Sequence, residues 1–344
     1  MTRVRILLAA LTTIVSYAAA AQPSASPSVE EFYKGKQISV LIGFGPGGAN
    51  DAWARILAQH MGKHIPGNPT LVPQNMAGAG SLKLANHLSN IAPKDGLTFG
   101  VVSRGVPLEP LLGGEAVQFD PTKLNWIGSP DKDITVCVAR KDAEVQTMGD
   151  LFSKQLVVGA TGSGADTAIY PEFLAEFLGM KFKTVKGYPG SNEIFLAMER
   201  NEVHGICVAY DSLARQPMFI ANKINILFQA ALEKSEHIPA TVPLAVDLAK
   251  NTGERQAIEL FLSRATLGRP FMAPPSVPLE RIQTLQRAFD ATMNDKEFGA
   301  DAKRAGLTVN PMTGEKLAQM IGDIYRTPKE VVKRVANTLG RISN

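Results

Sequence analysis

Four short glycine-rich runs hold the residues of this 344-residue chain best suited to binding chemistry. The first is Pro46-Gly47-Gly48-Ala49-Asn50-Asp51. Glycine lets main-chain N–H groups come close to a ligand, and Pro46 has no N–H to give, so the donors begin at Gly47. Gly47 and Gly48 can therefore cradle a carboxylate, with Asn50 alongside and Asp51 as the N-cap of the helix that follows. Gly78-Ala79-Gly80-Ser81 is the second run, readable as a ligand wall or as a plain turn. Thr161-Gly162-Ser163-Gly164, with Thr167 close behind, offers hydroxyls and N–H groups at a helix start. Helix dipole and unpaired N–H groups both favour an anion there. Gly187-Tyr188-Pro189-Gly190-Ser191 repeats this chemistry and adds a ring that can stack on a flat ligand or pack over its own turn.

Two charged residues complete the candidate set. Ser103 and Arg104 close an apolar run at 99–103, which would aim Arg104 at the mouth of a cleft. Its planar fork suits a carboxylate, although a solvated loop arginine is the alternative. Asp211 follows a second apolar run, where it either caps a helix or accepts a ligand hydroxyl or a water.

Other chemistries find little support. Gly43-Phe-Gly45-Pro-Gly47-Gly48 has the form of a dinucleotide loop, but residues 63–70 carry no acid for a ribose. No glycine-rich run ends in Lys-Ser or Lys-Thr, and neither G-x-S-x-G nor H-E-x-x-H occurs. His60 and His64 stand one helical turn apart, but no third ligand is near and both fall on a polar face, so a surface pair is expected. Cys137 and Cys207 lie in apolar strand runs and read as buried free thiols; a disulfide would need those strands adjacent. No catalytic centre, cofactor or metal is expected.

The elements that must position these residues alternate. Apolar or β-branched strand runs occupy 38–44, 71–74, 99–103, 135–139, 156–159, 182–185 and 203–208, with a strand and turn at 271–278. Helical patterns follow Asp51, open at Ser81, and cover 170–178, 194–200, 279–294 and 314–339. Trp53 and Trp126 belong to a core. Strand–helix alternation predicts an α/β fold with mostly parallel sheets. The glycine runs sit at strand ends in two halves, so the ligand belongs in the cleft between them.

Length predicts about two domains at roughly 100–200 residues each. With 36 basic and 32 acidic residues the net charge is +4, which excludes a strongly basic nucleic-acid surface. Arg3 and Arg5, a largely apolar region of ten residues at 6–15 and small residues at 18–21 form a secretory signal, cleaved near Ala21. No cysteine follows it to carry a lipid anchor, and no longer apolar run suggests direct membrane insertion. Residues 22–34 read as a leader, with a flexible Pro/Ser-rich start. An exported monomer is expected.

The run at 38–55, ISVLIGFGPGGANDAWAR, resembles the strand–PGGxxDxxAR opening of the tripartite tricarboxylate transporter substrate-binding proteins, the TctC or Bug receptors. The likeness continues in order through residues 74–80, Ala92-Pro93-Lys94-Asp95-Gly96, Gly162-Ser163-Gly164, residues 187–191, 199–205 and 273–278. It implies a two-domain periplasmic binding protein fold of type II, which captures a small carboxylate and delivers it to integral-membrane transporter subunits. It also implies ligand contacts at Gly47, Gly48, Gly78, Gly80, Ser163, Thr167 and Ser191. The expected first domain spans 35–138 and 266–344, and the second 139–265. The chain departs from the family pattern at Ser103-Arg104-Gly105 and at Ala165-Asp166-Thr167. An exported enzyme or a ligand sensor on the same scaffold are the competing readings.

Overall fold

The computed structural model describes residues 28–114, 116–132, 134–162 and 165–340. Among the described residues eleven strands run in chain order: β1 (Gln37–Ile42), β2 (Thr70–Asn75), β3 (Thr98–Val101), β4 (Asn125–Ser129), β5 (Thr135–Arg140), β6 (Leu156–Ala160), β7 (Phe182–Lys186), β8 (Gly205–Ala209), β9 (Ile224–Ala230), β10 (Phe271–Ala273) and β11 (Met312–Thr313). The helices are α1 (Val29–Tyr33), α2 (Ala49–Met61), α3 (Leu82–Asn90), α4 (Asp166–Leu178), α5 (Ser191–Glu199), α6 (Tyr210–Ala214), α7 (Pro217–Ile220), α8 (Thr252–Thr266), α9 (Leu279–Met293), α10 (Lys296–Arg304), α11 (Gly314–Ile324) and α12 (Lys329–Thr338).

The strands form two sheets, ordered β11-β4-β10-β3-β1-β2 and β7-β6-β8-β5-β9. The α/β class is as expected, but the sheets are mixed. β1 pairs in parallel with β2 and β3, and β6 with β7 and β8. β10 and β11 return antiparallel in the first sheet, and in the second β5 runs antiparallel to both its neighbours, β8 and β9. Strands buried on both faces explain the continuous apolar runs. In β1, Ile38, Val40 and Ile42 join one core while Leu41 joins another. In β5, Cys137 and Ala139 face one core and Val136 and Val138 the other. Trp53 and Trp126 are buried, as expected.

Cys137 and Cys207 are not free thiols. They stand directly opposite in the β5–β8 ladder and form a disulfide. Adjacency of two strands separated by 70 residues is a product of topology, which the local runs do not reveal. The end of the expected leader is also different: residues 29–33 form α1, closed by a capping box between Ser28 and Glu31. Tyr33 is buried there, and its hydroxyl donates to the Gly96 carbonyl at 3.2 Å. The helical pattern at 314–339 is two helices, broken before Pro328, because proline disfavours helix in the residue ahead of it. α11 packs on β4, whereas α12 packs on α8 and α4, beside the second sheet.

The chain passes between the two sheet-centred lobes from β4 to β5, from α8 to β10, and from α11 to α12. Buried Arg269 and Asp131 pair at the first two crossings. Ser129 joins them, its hydroxyl donating to the Asp131 carbonyl and accepting from the Arg269 N–H, both at 2.8 Å. Gly268, at φ +61°, lies so close that a Cβ would fall 1.8 Å from the Asp131 oxygen. No helix among the described residues is long and apolar enough to cross a membrane.

Candidate functional site

The residues after the carboxyl ends of β3 and β6 meet, Arg104 with Asp166, and β1 and β2 run parallel to β3 as β7 and β8 do to β6. Each glycine-rich run follows the carboxyl end of one of these strands. The first run feeds α2, whose N-cap is Gly48 rather than Asp51. Asp51 sits inside the first turn and reaches back. Its Oδ2 accepts from the Gly47 N–H and from Arg55 Nε, both at 2.9 Å, and its Oδ1 accepts from Asn75 Nδ2 at 2.8 Å. Burial opposes this charge, but Arg55, Gly47 and Asn75 together hold the carboxyl below its usual range. Asp51 thus ties the β1 loop to the end of β2, and it uses the Gly47 N–H that the sequence offered to a ligand. Gly48 and Asn50 remain at the loop's rim.

The second run is tied in a similar way. Ser81 is buried; its hydroxyl accepts from the Ser103 N–H at 2.7 Å and donates to the Gly80 carbonyl at 2.6 Å. Both candidate serines therefore take part in bonds that join the β2 and β3 loops. Gly78 and Gly80, at φ +148° and +61°, shape the turn around them. In the second lobe, the Thr161 N–H donates to the Thr167 hydroxyl at 3.0 Å, and the two hydroxyls lie 3.2 Å apart. Ser163, the centre of that run, lies outside the described residues. Tyr188 and Ser191 border the β7–α5 turn, where the Tyr188 N–H donates to the Ala160 carbonyl at 3.3 Å.

Arg104 is not a solvated loop arginine. It is buried, and its Nε donates to Asp166 Oδ2 at 2.5 Å while Nη2 donates to the Thr135 hydroxyl at 3.0 Å. Asp166 Oδ1 faces Arg264 Nη2 at 2.9 Å. Burial opposes the charge on Asp166, but the two arginines outweigh it and hold the carboxyl low.

Asp211 lies in α6, beside a cavity of about 290 Å³ between the lobes. Tyr210, Asp131, His237, Thr266, Thr308 and Asn310 line it as well. Burial raises the Asp211 carboxyl above its usual range, against Thr308, Arg215 and His237. Of the candidates named from sequence, Asp211 alone lines this cavity.

A family model described as the tripartite tricarboxylate transporter family receptor matches residues 53–337. The chain belongs to this receptor family. A curated relative from Agrobacterium vitis, the UPF0065 protein in the TAR-I ttuE-ttuC' intergenic region, is 28% identical over 179 residues, which is 50% of this chain and 49% of the relative. The chain thus spans about half the length of that relative. MatC of Rhodopseudomonas palustris with bound malate matches with a TM-score of 0.66 at 19% identity, over 88% of this chain and 99% of that one. A protein of R. palustris with adipate gives 0.66 at 18%, over 89% and 97%. A TctC solute-binding protein from Polaromonas gives 0.64 at 16%, over 88% and 99%. These likenesses show a shared two-lobed fold.

Within this receptor family, the two departures noted in the sequence meet in space: Arg104 bonds Asp166. Their third partner, Arg264 in α8, carries no local sequence signal, because only the packing of α8 brings it to Asp166. Asp166 was visible only as a departure, with nothing to say what it faced. His60 and His64 also differ from expectation. His60 is buried against Asp301 at 2.8 Å and His64 meets Asp295 at 3.0 Å, tying α2 and the turn after it to α10. His60, Asp295 and Glu297 converge there, and Lys63 Nζ reaches both carboxylates at 2.7 Å as their counter-cation.

Proposed function

We propose that this family member is a periplasmic receptor that captures a small organic acid between its lobes and passes it to the integral-membrane subunits of a tripartite transporter. Membership in the receptor family over residues 53–337 carries the reading. The glycine-rich loops facing each other across the cleft support it, since main-chain N–H groups at strand and helix ends suit a carboxylate. Gly48, Asn50, Gly78, Gly80, Thr161, Ser163, Tyr188 and Ser191 are the proposed contacts on that side, with Asp211 at the far end. The action is binding, with lobe closure driven by the ligand's greater affinity for the closed state. Export with removal of residues 1–21, which lie outside the described residues, belongs to the same proposal.

A thermal and calorimetric screen of mono-, di- and tricarboxylates tests it. Malate and adipate are sensible first probes because structural neighbours hold them. An acid at 100 times its Kd should stabilise the protein by about 2.7 kcal/mol. A flat response to every acid, in protein that melts cooperatively, would overturn the reading.

A further inference from the structure

Where the lobes meet at the start of α4, a carboxylate is gripped from two sides. Asp166 opens the 13-residue helix α4. Its Oδ2 accepts from Arg104 Nε at 2.5 Å, and its Oδ1 lies 2.9 Å from Arg264 Nη2. Arg104 comes from the end of β3 in one lobe, and Arg264 from α8 beside the other sheet. The arginine side chains are 7% and 2% exposed, while that of Asp166 keeps 20%. Two buried arginines, a helix N-terminus and an opening to solvent make a seat chemically fit for a carboxylate. The chain fills that seat with its own acid. The fit is built in: a Cβ at Gly105 would fall 2.1 Å from Arg264 Nη2, so glycine at 105 is what admits the second arginine. The Thr135 hydroxyl holds the first by its other arm at 3.0 Å.

We propose that Asp166 is a specificity-determining counter-anion: it occupies the seat between Arg104 and Arg264, so that the ligand binds without giving a carboxylate to either arginine. A second carboxylate brought to this point would meet an anion at contact distance, and displacing Asp166 would leave a largely buried charge unpaired. The cleft therefore disfavours acids that extend a carboxylate to Asp166 and selects those anchored by loop N–H groups and hydroxyls alone. The inference rests on the receptor reading for where the ligand lies, but the seat itself can be probed without that ligand.

Asp166→Ala empties the seat, and Asp166→Asn fills it with a neutral group of the same shape. Wild type and both variants are melted against sodium formate and sodium acetate, with sodium chloride at matched ionic strength. Asp166→Ala should show a saturable rise in Tm with both carboxylates, with apparent affinity at least about tenfold above wild type and Asp166→Asn. Chloride should give no such rise. A response of Asp166→Ala to formate no different from chloride overturns the proposal. So does a saturable formate response in wild type that Arg104→Met abolishes. If Asp166→Ala is unfolded in chloride, it is refolded from urea in formate; recovery of folded protein supports the seat, and failure to recover overturns it. No arm uses the native ligand, so failure here leaves the receptor reading to its own acid screen.

Discussion

Asp166 and Asp211 lie at the same end of the second sheet and titrate in opposite directions. Asp166 is held low by Arg104 and Arg264 against the cost of burial. Its contribution to stability is present above the ordinary carboxyl range and is lost as pH falls through its folded value. Asp211 is raised by burial, so the folded state holds its proton more tightly than the unfolded chain does. Its contribution favours folding at low pH and is lost as pH rises towards the raised folded value. Asp211→Asn should therefore raise the urea midpoint at pH 7, and the gain should vanish below the usual aspartate pKa of about 3.9. An unchanged or lower midpoint at pH 7 would show that the buried charge is fully compensated. Residue type marked Asp51 as a residue of the start of α2. It could not show that Asp51 takes the Gly47 N–H, because the loop's backbone direction decides that bond.

The β5–β8 ladder shows what pairing adds at the scale of elements. Cys137 and Cys207 are both fully buried and cross-link two strands 70 residues apart. Replacing both with alanine should lower stability by about 3–5 kcal/mol, chiefly by freeing the unfolded chain. Urea midpoints under oxidising conditions measure this, and a midpoint within error of wild type would remove the disulfide from the list of stabilising elements. Clustered β-branched and apolar residues made β1, β5 and β8 legible as strands, but β9 went unread although Ile224, Ile226, Leu227 and Phe228 cluster in it. The short β4 and β11 were not legible, because their strand state comes from partners; Met312 and Thr313 pair with Ser129 and Gly128. Helix α10 was missed for a related reason. It is mostly polar, and its burial depends on Phe298 and Ala302 meeting α2 and α9.

At the scale of the molecule, α12 fastens the end of the chain across the lobes. α11 lies on β4 of the first sheet, and α12 then crosses to α8 and α4. Val331, Val335 and Ala336 enter the core that holds Phe173 and Phe261, whose rings stack at 3.8 Å. Arg334 covers the Phe177 ring at 4.6 Å and reaches Glu254 at 3.8 Å. Each fully buried valine contributes about 1.5–3 kcal/mol. Ending the chain before Pro328 should thus destabilise the second lobe selectively, with near-UV signals from the Tyr170 and Phe261 region lost at lower urea than the Trp53 signal of the first lobe. Coincident transitions at the wild-type midpoint would show that the strap carries no weight.

The sequence by itself determined the α/β alternation, the glycine-rich turns at strand ends and, through the ordered motifs from residue 38 onward, the receptor family. Those features are local: each depends on residue types within a few positions, and periodicity or backbone freedom follows from them directly. Tertiary structure alone decided which polar groups meet. It spent the Gly47 N–H on Asp51, joined the two cysteines, and set Arg104 of one lobe against Asp166 of the other. Such pairings depend on strand order, on crossings between lobes and on burial that makes an unpaired charge costly, and none of these is a property of any short stretch of chain.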